Sequence, residues 1–156
     1  MKKIKLILAA SFLAISGITA VQSCKKADGC GESNISKSGG DDSHNNGQNC
    51  MSCHVSGGDG EGCFNAAGSV YTGSGAAFGA GTVKLHTAPN GAGSVVATIQ
   101  VDSKGNFYTT ESINFSGGVY PSFSDGKGNT KYMGSSIGSA QCNSCHGSST
   151  GKITAP

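Results

Sequence analysis

Apolar residues fall in two stretches of this chain and are thin elsewhere. The first, Leu6 to Ala20, is nearly continuous but interrupted by Ser11, Ser16, Gly17 and Thr19. It is shorter than the roughly 20 apolar residues that span a bilayer. The second runs from Phe64 to about Phe123 and tends to a period of two, the signature of strands. Thr82 to Thr87 alternates cleanly, with Val83 and Leu85 on one side and Lys84 and His86 on the other. Ala67 to Thr72 alternates weakly around Val70 and Tyr71. Ser94 to Val101 carries Val95, Val96, Ile99 and Val101, and Asn106 to Thr110 carries Phe107 and Tyr108. Ile113 to Phe123 has room for a further strand or two. Pro89-Asn90-Gly91 and Asp102-Ser103-Lys104-Gly105-Asn106 are turn signals between these runs. No segment here keeps a helical period. The pattern predicts a mainly β protein: a small Greek-key-like β-sandwich over 64–123, flanked by irregular segments at both ends.

The N-terminal stretch has the layout of an export signal. Lys2, Lys3 and Lys5 precede the apolar run, which ends near Ser23. Val21-Gln22-Ser23-Cys24 resembles a bacterial lipobox, which implies lipidation of Cys24 and a membrane anchor through it. Gln22 stands where that pattern has a smaller residue, and cleavage after an ordinary signal is the other reading. Both take the chain out of the cytoplasm. The expected organisation is a signal over 1–23, a polar tether over 24–48, a first cofactor segment over 49–63, the sandwich, and a second cofactor segment over 124–156. The tether expectation rests on composition, since Gly, Ser, Asn, Asp and Lys bury little apolar area.

Two strings carry the chemistry: Cys50-Met51-Ser52-Cys53-His54 and Cys142-Asn143-Ser144-Cys145-His146. Both read C-x-x-C-H, the attachment signal for a c-type haem. Two thiols three positions apart can each form a thioether to a vinyl group of one haem, and the following His becomes the proximal ligand of the iron. The strings predict two covalently attached haem c groups, held by Cys50, Cys53 and His54 and by Cys142, Cys145 and His146. C-x-x-C pairs also bind zinc or act as redox dithiols, but neither use needs a His after each pair. Export fits the haem reading, because bacterial c-type haem is attached outside the cytoplasmic membrane.

Of the seven cysteines, four are then assigned to haem and Cys24 to lipid. Cys30 and Cys63 remain, to pair as a disulfide in an oxidising compartment or to stay as two thiols. Each iron has a sixth position whose ligand decides between carrier and catalyst. The candidates are His44, Met133 and His86. His44 and Met133 lie shortly before the first and second strings; His86 would serve only if a haem lay on its sheet face. Four histidines favour two bis-His haems, whereas local spacing favours His44 and Met133. Asp41-Asp42 and Asp59-x-Glu61 lack the ordered spacing of a calcium loop and read as solvated acids.

Val101-Asp102-Ser103-Lys104-Gly105-Asn106-Phe107-Tyr108 resembles a hairpin of carboxypeptidase-regulatory-like domains. Ala66 to Tyr71 and Ala80 to Leu85 resemble two of that family's other strands. The likeness covers about 60 residues and implies a structural or binding sandwich with no catalytic residues to carry over. Three of the eleven lysines lie in the signal, leaving eight against nine carboxylates and no arginine, so nucleic acid binding has no support. The sequence therefore predicts an exported dihaem c-type cytochrome that transfers electrons in the envelope of a Gram-negative bacterium. Its partners would be other redox proteins such as cytochromes. A dihaem enzyme of peroxidase type, or a non-haem surface module with C-x-x-C metal or disulfide sites, are the alternatives.

Overall fold

The computed structural model describes residues 30–156. The segment expected as an export signal and Cys24 lie outside the described residues. Among the described residues, eight strands follow in chain order: β1 (Ala66–Tyr71), β2 (Thr82–His86), β3 (Val95–Gln100), β4 (Asn106–Thr109), β5 (Tyr120–Ser124), β6 (Thr130–Tyr132), β7 (Ala140–Gln141) and β8 (Ile153–Thr154). They form two sheets. In one, β1 pairs antiparallel with β4 along one edge and parallel with β7 and β8 along the other. In the second, the order is β3-β2-β5-β6, all antiparallel. The core lies between them. Ala66, Val70, Phe107 and Ala140 come from the first sheet, and Val83, Leu85, Ile99 and Phe123 from the second. The mainly β sandwich expected from the alternation is what forms.

The alternation at β2 holds where Val83 and Leu85 are buried and Lys84 is exposed. His86 departs from it. The register against β3 shifts between Leu85 and His86, and the imidazole is buried rather than on an exposed polar face. The turn over 102–106 forms as expected: Asp102 Oδ1 accepts the Lys104 and Asn106 backbone N–H groups at 3.0 and 2.9 Å. Only one strand arises within 113–123, starting at Tyr120, because Gly117 and Gly118 both take left-handed backbone that a ladder cannot use.

β1 alternates weakly because both of its faces are covered. Ala66 and Val70 join the core, while Ala67, Ser69 and Tyr71 lie under other parts of the chain and are also buried. Part of that cover is the segment expected as a tether. From Cys30 onward it is strapped to the sandwich instead. Ile35 bridges Thr109, the Ser36 backbone N–H donates to Tyr108 O at 2.9 Å, and the Ser36 hydroxyl donates to Gln100 O at 2.6 Å. Cys30 and Cys63 form a disulfide with 4.6 Å between Cα atoms. A polar segment holds here because its polar groups are paired, which a count of apolar residues does not register. The strands β6, β7 and β8 likewise tie 124–156 into both sheets.

Candidate functional site

The two C-x-x-C-H strings adopt the same local structure. Each starts as a single 3-10 turn, Cys50–Ser52 and Cys142–Ser144. In the first, Cys50 O accepts the Cys53 and His54 backbone N–H groups at 3.2 and 2.9 Å. In the second, Cys142 O accepts those of Cys145 and His146 at 3.3 and 2.9 Å. The shared serine has a local reason. Ser52 Oγ donates to Asn49 O at 2.7 Å and Ser144 Oγ to Gln141 O at 2.6 Å, closing each turn against the residue before it.

Both histidines are oriented alike. His54 Nδ1 lies 2.7 Å from Glu61 O, and His146 Nδ1 lies 2.8 Å from Gly151 O. A carbonyl only accepts, so Nδ1 carries the proton and Nε2 keeps its lone pair for a metal. This is how a ligating imidazole is held. The carbonyls come from loops that fold back after each string, and the Gly-rich run 57–62 serves this purpose. A Cβ at Gly60 would lie 2.7 Å from the His54 ring. Gly60→Ala is therefore expected to destabilise the chain by about 1–2 kcal/mol through overpacking. Gly134→Ala, with open space around it, should stay within about 0.5 kcal/mol. Urea unfolding of the two variants measures the difference. His54 also stacks on Phe64 at 4.1 Å between ring centres, and Phe64 stacks on Tyr108 at 4.9 Å.

The four thiols of the strings are unbridged, in contrast to Cys30 and Cys63. Burial pushes the Cys50 thiol up and the Cys142 thiol up to about 12. Among the described residues, no three His, Cys, Asp or Glu side chains converge as a metal-binding group, whereas a four-thiolate zinc site requires four. Haem needs only two thiols and one imidazole per string, and the residues present fit it.

The strings are far apart in sequence but adjacent in space. The second is an excursion between β7 and β8, which pair with successive halves of the same edge of β1. In the gap between them, the Ser69 backbone N–H donates to Asn143 Oδ1 at 3.1 Å. Asn143 Nδ2 donates to Gln48 O at 2.9 Å, just before the first string. Asn49 Nδ2 reaches Gln141 Oε1 at 3.4 Å, joining the residues that precede the two turns. Buried Asn143 is an unspecified position of the attachment motif, and its role was not legible from the motif.

A cavity of about 450 Å3 opens beside the second string. Cys142, Cys145 and His146 line it together with Phe107, Phe123 and Met133, and Lys131 and Lys152 add two positive charges. Its volume lies in the range of cofactor pockets. Near the first string, the His44 ring centre is 5.9 Å from that of His54, with 34° between the planes. His86 joins neither site: its Nε2 is 2.9 Å from Ser122 Oγ, and it does not line the cavity. The acids Asp41, Asp42, Asp59 and Glu61 are exposed; Glu61 contributes to the first site through its backbone carbonyl. Among the described residues, no helix is long and apolar enough to cross a membrane. No known protein family, curated protein or solved structure matches the chain.

Proposed function

We propose that the chain is an exported dihaem c-type cytochrome that transfers electrons in a bacterial envelope, anchored by lipid at Cys24. The observation that carries this reading is the matched capping of His54 and His146 at Nδ1. Two distant loops supply the same carbonyl, and each leaves Nε2 for an iron. Unbridged thiols in both strings and a cavity of cofactor size at the second add support. Haem, when bound, supplies the one-electron chemistry. The protein's share would be to hold each haem through the two cysteines of a string, offer it the Nε2 of His54 or His146, and keep the two strings side by side.

A carrier rather than a peroxidase is favoured because each string has a further potential ligand within reach of its site, His44 at the first and Met133 at the second. Filled sixth positions suit electron transfer. Partners would be other redox proteins docking through small, transient interfaces. Chain produced with the haem-attachment machinery should gain the mass of two haems and show a c-type reduced absorption spectrum. Colourless chain of unmodified mass overturns the reading.

A further inference from the structure

We propose that Asn106 is a positioning residue that holds His44 as the second axial ligand of the first haem, making that haem bis-His. This rests on the reading of the first string as a haem site. An imidazole nitrogen bonds a first-row metal at about 2 Å. Two imidazoles on opposite sides of one iron therefore have ring centres about 6 Å apart, and His44 and His54 are at 5.9 Å. His44 is exposed and lies in a polar stretch, so something other than apolar packing must keep it there.

Asn106 supplies that hold. Its Nδ2 donates to Ser43 Oγ at 2.9 Å and to His44 O at 3.3 Å. Its Oδ1 accepts from Asn46 Nδ2 at 3.0 Å and from Ser69 Oγ at 2.6 Å. Ser69 Oγ in turn accepts the Gly47 backbone N–H at 2.9 Å. Gly47 has left-handed backbone, and a Cβ there would collide with the Tyr71 hydroxyl, so the strap lies flat on β1. One buried amide thus grips both sides of His44.

A second copy of the same turn shows that this use is not the local optimum. Asp102-Ser103-Lys104-Gly105-Asn106 and Asp125-Gly126-Lys127-Gly128-Asn129 share the pattern D-x-K-G-N. In the second copy, Asn129 Nδ2 donates to Asp125 Oδ2 at 2.7 Å, and that amide helps hold the Asp125 carboxyl below its usual range. In the first, Asn106 is turned away toward the strap. Asp102 Oδ2 is left buried with no hydrogen-bond partner among the described residues. An unpaired buried acceptor is a net cost to stability. The local arrangement gives up that stability for the grip on His44.

The test uses haem-loaded chain, with mass confirming two haems per chain in every variant. Failure to load would speak against the haem site itself, separately from the ligand. In the unmodified chain the first haem should be low-spin and bind no carbon monoxide. His44→Ala should make that haem high-spin and carbon monoxide-reactive, and added imidazole should restore the low-spin spectrum. Asn106→Ala should raise the reactive fraction about tenfold, the ratio expected for roughly 1.4 kcal/mol of lost positioning. Asn129→Ala is the control: it disrupts the twin turn and should leave the spectrum unchanged. A His44→Ala chain that stays low-spin and unreactive at both haems overturns the ligand. An Asn106→Ala spectrum identical to the unmodified one, or an equal change in Asn129→Ala, overturns the positioning role.

Discussion

Replacing Cys30 and Cys63 together by serine is expected to lower the stability of the chain by about 3–4 kcal/mol. The bridge spans 33 residues of sequence, and the loop-closure entropy it removes from the unfolded chain sets that magnitude. For a domain of this size, the loss should appear as a fall in melting temperature on the order of 10 °C. Reduced unmodified chain should unfold with the double variant, and the oxidised chain well above both. Coincident transitions for all three would show that the bridge contributes nothing. The effect should also be local. Cys63 adjoins Phe64, which stacks on His54, and lies two residues after Glu61, whose carbonyl holds His54 Nδ1. On the haem reading, losing the bridge should therefore broaden the spectrum of a haem at the first string and leave that of one at the second, which lies between β7 and β8, as it was.

How much of this was readable in the sequence depends on which interactions are local. β2 is legible because one of its faces meets the core and Lys84 meets water, so period two survives. β1 is not, because Ala67, Ser69 and Tyr71 are covered as fully as Ala66 and Val70. Strands as short as β7 and β8 leave no periodicity; they exist because β1 offers them an edge. The segment from Cys30 to Gln48 reads as a tether because apolar content is the usual measure of order. It is ordered through hydrogen bonds whose partners, Gln100, Asn106 and Tyr108, lie some 60 to 70 residues away.

The attachment strings show the same division. Cysteine spacing and the adjacent histidine are local, so the motif is plain. What sets the imidazole's tautomer is a carbonyl from a returning loop, and nothing in C-x-x-C-H specifies Glu61 or Gly151. The candidate ligands separate for a related reason. His86 looked available because alternation put it outward, but the register shift beside it buries the ring against Ser122. Sequence distance to the strings is the cruder cue; the His44 ring lies near that of His54, and Met133 lines the cavity beside the second string. The network through Ser69, Asn106 and Asn143 joins the two sites and consists of residue types common in loops, so no pattern singled it out.

On the haem reading, the haem at the second string is expected to take Met133 as its other ligand, and replacing that residue should have a spectroscopic effect as large as that of His44→Ala. Met133 follows β6, where its backbone N–H donates to Pro121 O at 2.9 Å, and its side chain lines the cavity shared by Cys142, Cys145 and His146. A thioether opposite an imidazole raises the potential of a haem relative to two imidazoles. The chain would then hold one haem of each kind, with an intrinsic direction for electrons from the first to the second. Met133→Leu keeps volume, so the packing part of its effect on stability should stay below about 1.5 kcal/mol. It should nevertheless abolish the near-infrared methionine–iron band and lower the potential of one haem only. Met133→His should also remove the band, while keeping the iron six-coordinate and bringing its potential toward that of the first haem. The chain has three methionines; Met1 lies in the segment expected as an export signal and Met51 within the first string. A band that survives in Met133→Leu would therefore assign the ligand to Met51. A band absent from the unmodified chain would leave Met133 as a packing residue of the cavity.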